Sequence, residues 1–292
     1  MIPPPGQPGL RERLAPAIGA ALTGVILRLA PRTAVRLFGR MEAGRPQSAL
    51  ALVNGLLRAG DVAVDVGAHR GVFTDRMARL VGPAGHVHAF EPNPDSWRIL
   101  SAVKGGATNI SLHHLGLSDH AGTATLFRPR PKGTRIDAMS SLTRHGDDAS
   151  LAVDPVEVRL ERLDVALAAE TRRIALLKVD VEGHELAVFQ GADALIRASR
   201  PAILVEIEQR HQEADIRATF AHLEARGYAG SFVGPSGLRP LAQFDIRRHQ
   251  LDLLPEGFAV GRPAPGYISD FLFLPEGWSA GGVRSGAGAD PA

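Results

Sequence analysis

The stretch that decides the fold is VAVDVGAHRGVFTDRMARLVG, residues 62–82. It begins with an apolar, strand-like run, passes through Gly67 and Gly71, and continues with apolar residues at helical spacing. Asp65 stands at the end of the strand, and glycine allows the backbone to approach a ligand closely. The stretch therefore predicts a strand, a ligand-binding turn and a helix.

Beyond residue 61, short apolar runs alternate with amphipathic segments, which predicts a parallel sheet covered by helices. We predict strands near residues 62–66, 86–90, 110–115, 174–180, 202–207, 228–233 and 269–274. We predict helices near residues 71–81, 94–104, 184–198 and 212–226. Segments 121–127 and 153–160 predict an inserted strand pair, and the polar loop 128–150 between them is expected to be a lid over an acceptor.

The composition limits the classes of protein. The chain has 292 residues, 45% of them hydrophobic, and a formal net charge of +2, which suits one large α/β domain or two small ones. The absence of cysteine excludes disulfides, thiolate metal sites and a cysteine nucleophile, and it is compatible with the cytoplasm, where we place the protein. The basic residues are dispersed and form no stripe for a phosphate backbone, so no nucleic-acid partner is predicted.

The two ends of the chain are expected to lie outside the main domain. Residues 17–27, AIGAALTGVIL, form an apolar run that is shorter than the roughly 20 residues a membrane-spanning helix needs. We predict that residues 1–44 are a helical extension that lies on the domain, on a partner or on a membrane surface. Residues 45–275 form the domain, and residues 276–292 are expected to be a disordered tail. An oligomer is left open.

Ligands of an open α/β sheet bind at the carboxyl ends of its strands. We predict that the cofactor-binding residues lie in three turns at this edge, which contain Asp65, Gly67, His69 and Gly71, then Glu91 and Asn93, then Gly116, Ser118 and Asp119. Glu91, in HAFEPNP, offers two carboxylate oxygens to the two hydroxyls of a ribose.

A dinucleotide and S-adenosylmethionine both fit an acid at the position of Glu91. A dinucleotide fold favours G-x-G-x-x-G, which seats a pyrophosphate on the helix N-terminus. This chain has DVGAHRG, with His69 in place of the second glycine, and that favours S-adenosylmethionine. A turn without any ligand is the remaining interpretation of the two glycines, and Glu91 argues against it.

Six motifs follow one another along the chain: VDVGAHRGVFT, AFEPNP, GLSD, ERLDVAL, LLKVDVEGHELAVFQGA and RPAILVEIE. In this order they closely resemble the FkbM family of S-adenosylmethionine-dependent methyltransferases, over residues 45–275. The resemblance implies the Rossmann-like, seven-stranded sheet of class I methyltransferases, whose last strand, here SDFLFLP, is antiparallel. It also implies O-methylation of hydroxyls on sugars, glycans or natural products. His69 stands where the family usually has asparagine.

Methyl transfer from a sulfonium is an in-line displacement, so the protein must chiefly hold the reacting groups collinear. A base that receives the proton of a hydroxyl acceptor adds a factor of roughly 100 to 10,000. We predict catalytic residues at the ends of the fourth and fifth strands, namely Asp180, Glu182, His184 and Glu206. His184 is the candidate base because the pKa of an unperturbed imidazole lies near neutrality, and Lys178 is expected to pair with Asp180 on one strand face.

Several alternatives stay open. Asp180 and Glu206 could hold a divalent cation, but no third ligand is visible, so no metal site is predicted. The remaining histidines show no metal-ligand spacing and are interpreted as surface or loop residues: His113, His114, His211 and His249. An NAD-dependent oxidoreductase and an inactive cofactor-binding interaction module are the alternatives to a methyltransferase of a small hydroxylated acceptor. The walls of the acceptor pocket are expected from residues 128–150 and 234–265.

Overall fold

The computed structural model describes residues 29–44, 48–130, 152–235, 237–255 and 263–278. The apolar run 17–27, residues 131–150 of the predicted lid and residues 279–292 of the predicted tail lie outside the described residues.

Two helices precede an alternation of strands and helices in the first half of the chain. These elements are α1 (Pro31–Ala43), α2 (Ala49–Leu56), β1 (Val62–Val66), α3 (Val72–Val81), β2 (His86–Phe90), α4 (Pro94–Lys104) and β3 (Ile110–His113). Three strands of a second sheet follow, β4 (Gly116–Leu117), β5 (Gly122–Arg130) and β6 (Ala152–Glu161).

The second half returns to the main sheet. Its elements are α5 (Leu163–Ala166), β7 (Ile174–Val179), α6 (Glu185–Gly191), α7 (Asp193–Ser199), β8 (Ala202–Glu206), α8 (Arg217–Glu224), β9 (Tyr228–Gly234), β10 (Gly237–Pro240), α9 (Ile246–His249) and β11 (Asp270–Pro275). Short 3-10 helices lie at Gln209–His211, Leu241–Gln243 and Leu251–Leu253.

The main sheet has the strand order β10-β9-β11-β8-β7-β1-β2-β3. β11 pairs antiparallel with both β8 and β9, whereas β1, β2, β3, β7 and β8 pair in parallel. The predicted sheet with an antiparallel last strand is confirmed, but its strand count was too low by one. The chain reverses after Gly234, and β10 pairs back onto β9 as an eighth strand at the edge.

Two predicted helices have different bounds in the structure. The predicted helix 184–198 is divided into α6 and α7 at Ala192, whose φ of −111° and ψ of 12° are not helical. The predicted helix 212–226 begins only at Arg217. The residues before it are held in a turn, in which the Gln209 side chain accepts a hydrogen bond from the Ile216 amide at 3.1 Å.

Apolar residues cover both faces of the main sheet, as a largely parallel sheet requires. On one face, residues such as Val64 and Leu177 pack with α6, α7 and α8. On the other face, Ala63 and Leu176 pack with α2 and α3. Every residue of β1 and of β7 is buried. With both faces covered, the ends of the strands are where a ligand can enter.

The small sheet is fixed beside this edge by a buried arginine. β5 and β6 pair antiparallel, which confirms the predicted inserted pair, and β4 joins β6 in parallel. The Arg128 guanidinium donates a 2.8 Å hydrogen bond to Asp95 of α4 and forms an ion pair with Asp154 of β6. The small sheet is thereby held where Leu126 of β5 reaches the carboxyl edge.

Candidate active site

Two cavities lie at the carboxyl ends of the central strands. The small cavity, of about 260 Å³, lies between the ends of β1, β2 and β7 and is walled on its apolar side by residues such as Phe90 and Leu126. The large cavity, of about 910 Å³, lies beneath the N-terminal helices and includes Phe38 and Glu42. Both cavities share four residues, Gly67, His69, Asp180 and Glu206. The two cavities therefore meet at the ends of β1, β7 and β8.

Gly67 and Gly71 are required by contacts within the protein. Gly67 has a φ of +73°, and a Cβ there would lie 1.7 Å from the backbone oxygen of Asp180. Gly71 has a φ of +85°, and its Cβ would lie 2.7 Å from Leu100. Gly67 borders both cavities, whereas Gly71 borders neither. Close packing of the first turn, and not only ligand access, explains both glycines.

Asp65 lies below the turn and lines neither cavity. It is fully buried, accepts a 2.6 Å hydrogen bond from Thr74 and lies 3.3 Å from the Lys178 ammonium group. Lys178 also lies 3.4 Å from Asp180, which confirms the expected pair, and donates to the Gly67 carbonyl oxygen at 3.0 Å. Burial lowers the pKa of Lys178, but Asp65 and Asp180 outweigh burial and raise it. The lysine is therefore a cation that holds the turn in place.

Glu91 is buried in the wall of the small cavity. Its two carboxylate oxygens accept hydrogen bonds from the amides of His69, at 2.6 Å, and Asn93, at 2.7 Å. Burial raises its pKa to about 7 although both amides lower it. His69 has a φ of +49°, a conformation that histidine adopts more readily than most residues. Each carboxylate oxygen keeps a further acceptor position, so the group can still bind ligand hydroxyls.

The third predicted turn contributes less to the cavity walls. Gly116 lines the small cavity, but Ser118 and Asp119 line neither cavity. Ser118 is buried, and its hydroxyl lies 2.9 Å from His184 Nε2. The Asp119 carboxylate lies 2.6 Å from His120, and this hydrogen bond lowers the pKa of Asp119. The structure therefore brings Gly116, but not Ser118 or Asp119, to the site.

His184 lines the small cavity and does not line the large one. Burial lowers the pKa of His184, so the imidazole is neutral near pH 7, and its Nε2 atom is engaged by Ser118. The imidazole therefore belongs to the wall of the small cavity alone.

Glu206 and Asp270 are directly paired residues of the antiparallel strands β8 and β11. Neither side chain has a hydrogen-bond or ion-pair partner within the ranges that the structure describes. Burial, followed by the charges of Asp180 and Asp270, raises the pKa of Glu206 well above its usual range. Burial and then Asp180 raise the pKa of Asp270 to about 7. Both acids therefore hold a proton more tightly than an ordinary carboxyl group does.

Asp270 was not among the predicted site residues. The sequence did contain a signal for Asp270, because a strand that runs antiparallel to its neighbours begins where those neighbours end. The start of the predicted antiparallel strand SDFLFLP, in which Asp270 is the second residue, therefore belongs to the carboxyl edge. The described residues of 234–265 line neither cavity, and the walls of the large cavity come instead from α1, α2 and the residues between them.

A strained turn follows β7. Glu182 has a φ of +53° and Gly183 a φ of +102°, and a Cβ on Gly183 would lie 2.2 Å from the His211 carbonyl oxygen. A left-handed non-glycine residue costs about 1–3 kcal/mol and is concentrated at functional sites. The turn directs Glu182 into the small cavity wall and against His211.

The interpretation of His211 as a surface or loop histidine was wrong, because its side chain is buried. Its Nδ1 atom lies 2.6 Å from Glu182, and this carboxylate outweighs the effect of burial and raises the pKa of His211. Glu182, Glu208 and His211 hold potential ligand atoms within 4.8 Å of one another. Glu208, however, is bound by Arg210 and Tyr267, each at 2.6 Å. These short contacts describe a hydrogen-bonded ionic network.

The strand order and the two joined cavities define a class I methyltransferase. A family model described as the methyltransferase FkbM domain matches residues 65–229. The chain belongs to this family, as its motifs predicted.

Curated relatives that are named as methyltransferases match 47% to 68% of the chain. "Methyltransferase sdnD" of Sordaria araneosa is 28% identical over 229 residues, which are 68% of this chain and 78% of the relative. "31-O-demethyl-FK506 methyltransferase FkbM" of Streptomyces tacrolimicus is 34% identical over 162 residues, 47% of this chain and 61% of the relative. "Hexuronic acid methyltransferase AglP" of Haloferax volcanii is 28% identical over 158 residues, 53% of this chain and 59% of the relative. In the described part of the chain, no helix has the length and apolar character to cross a membrane.

Proposed function

We propose that the protein is an S-adenosylmethionine-dependent O-methyltransferase that acts on a hydroxyl of a small polar or glycosylated acceptor. The observation that carries this proposal is the wall of Gly67, His69, Asp180 and Glu206 that the two cavities share. A donor in the small cavity and an acceptor in the large one meet at this wall.

The small cavity has the chemistry that the cofactor requires. Apolar side chains, among them Phe90 and Leu126, suit a flat base, and Glu91 suits the ribose hydroxyls. Asp180 and Glu182 supply negative charge for the ammonium and sulfonium groups. S-adenosylmethionine supplies a methyl group that is already activated for displacement. The protein must therefore orient the acceptor and accept one proton.

Glu206 is the group that we assign to the proton. It lines both cavities and has no hydrogen-bond or ion-pair partner within the described residues, and its raised pKa makes it a stronger base than an ordinary carboxylate. Asp180, fixed by Lys178, is assigned to orienting the acceptor hydroxyl. His184 is assigned to the wall of the small cavity, since Ser118 holds its ring nitrogen.

The names of two relatives support a hydroxylated acceptor, because one refers to a 31-O-demethyl compound and the other to a hexuronic acid. An oxidoreductase is not favoured, because His69 replaces the second glycine of the dinucleotide motif. An inactive module is not favoured either, because a carboxyl group suited to proton transfer borders both cavities.

Calorimetric titration of the full chain with S-adenosylmethionine and, separately, with NAD tests the cofactor. We expect saturable binding of S-adenosylmethionine and none of NAD. The acceptor is then sought by incubating the loaded protein with hydroxylated metabolites and glycosides, and scoring the mass gain of one methyl group. Binding of NAD without S-adenosylmethionine would contradict the proposal.

A further inference from the structure

Helix α1 presents an apolar ridge to the solvent. Six large apolar side chains are exposed among the described residues, and four of them lie on α1 or just before it: Leu29, Leu37, Phe38 and Met41. Leu37 is 58% exposed and Met41 is 63% exposed. The opposite face of the helix, with Val35 and Gly39, is buried against the domain. The ridge is therefore not the face by which α1 packs on its own chain.

Three arginines run beside this ridge. Arg32, Arg36 and Arg40 are spaced four residues apart, so they form a row along one side of the helix. Arg36 lies 3.4 Å from Asp75 of α3, which fixes the side of the helix that the row occupies. On a helical projection the row borders the ridge at Leu37. An apolar strip flanked by basic residues is typical of helices that lie in the plane of a membrane interface.

The ridge also reaches the wall of the large cavity, where we place the acceptor. Phe38 belongs both to the ridge and to the wall of the large cavity, which Glu42 joins one turn later. The arginine row is complementary to an anionic surface.

We infer that α1 docks the protein on an anionic lipid bilayer, with Leu37, Phe38 and Met41 of the ridge in the interface and the mouth of the large cavity facing the lipid. The contact is peripheral. If the proposed function holds, this arrangement favours an acceptor hydroxyl carried by a membrane-held molecule, but the docking itself does not depend on methyl transfer.

Co-sedimentation of the full chain with vesicles tests the inference. We expect binding to vesicles that contain phosphatidylglycerol, weaker binding to pure phosphatidylcholine, and loss of binding as salt is raised. The double variant Leu37→Ser/Met41→Ser should lower partitioning roughly tenfold or more, because two side chains leave the interface. Arg32→Gln should lower it about fivefold on the anionic vesicles only.

The chain offers a matched control in Val165, which is 53% exposed and does not belong to the ridge. Val165→Ser should sediment like the wild type. Residues that precede Leu29 are present in every variant, so the difference between variants reports on α1. Leu37 and Met41 line neither cavity, so the double variant should keep its far-ultraviolet circular dichroism spectrum and its affinity for S-adenosylmethionine.

Three results would overturn the inference. The first is no binding of the wild type to anionic vesicles, and the second is equal binding by the wild type and the double variant. The third is a dimer, seen by light scattering, that the double variant abolishes while vesicle binding is absent, since this would place a second copy on the ridge. Cofactor titration of the same samples separates these results from a failure of the proposed function, which would show as absent cofactor binding.

Discussion

The small and large cavities share a wall but differ in the hydrogen bonds that their buried carboxyl groups accept. In the small cavity the buried acid Glu91 has both oxygens held by backbone amides. In the large cavity the paired acids Glu206 and Asp270 have no hydrogen-bond partner within the described residues. A carboxyl group whose two oxygens are held by amides is suited to binding, whereas one without a hydrogen-bond partner is suited to proton transfer. This difference underlies the proposed roles of Glu91 in recognition and of Glu206 in chemistry.

The strongest test of this division is Glu206→Gln. Loss of the base should lower turnover roughly 100- to 10,000-fold, with little change in cofactor affinity. Steady-state rates and calorimetry on the same preparation measure the two effects. A variant with full turnover would remove the base from Glu206.

Asp270→Asn sharpens the same assignment. The Asp270 charge helps to raise the pKa of Glu206, so its removal should lower that pKa. The acidic limb of the rate profile should then move to lower pH. A limb that stays in place would show that Glu206 does not control it.

The next prediction concerns Gly67, which lies in the turn that borders both cavities. Gly67→Ala should destabilise the fold by roughly 2 to 6 kcal/mol, from backbone strain and the clash with the Asp180 carbonyl. Gly60 is a matched control, because it also has a positive φ but has nothing within 4 Å of a built Cβ. Gly60→Ala should cost only about 1 to 2 kcal/mol. Chemical unfolding measures both, and equal losses would contradict the importance of the clash.

Glu91→Ala tests the small cavity alone. Removal of the carboxylate leaves buried amides without acceptors and should weaken cofactor binding by about 1 to 3 kcal/mol. Glu91→Gln keeps one acceptor oxygen and should lose less. Unaltered cofactor binding in the alanine variant would contradict the ribose assignment.

The smallest effect is expected from a substitution of His211, which lies behind the wall of the small cavity and contacts Glu182. Burial raises the pKa of Glu182, and the His211 imidazolium partly offsets this rise. The variant His211→Gln keeps a hydrogen-bond donor but removes the positive charge, so it should raise the pKa of Glu182 further. Titrations of S-adenosylmethionine at several pH values should show the acidic loss of affinity beginning at a higher pH than in the wild type. An unshifted profile, in a variant that is folded, would limit His211 to a structural role.

The sequence predicted the small cavity better than the large one. The ends of parallel strands share one edge, so Glu91, Asp180 and Glu206 could be placed together from local patterns alone. Phe38 and Glu42 reach the large cavity through the packing of α1 on the domain, which no local pattern records. His211 was misjudged because its burial depends on Gly183, whose contact with it exists only in the folded chain.

His69 connects the walls of the two cavities. Its amide holds Glu91, and the residue forms part of both walls, so a ligand that shifts this residue in one cavity alters the shape of the other. Such a coupling between two sites is reciprocal: whatever factor the cofactor applies to acceptor affinity, the acceptor applies to cofactor affinity. Under the proposed function, this coupling would link the release of the demethylated cofactor to the release of the methylated product through a single histidine.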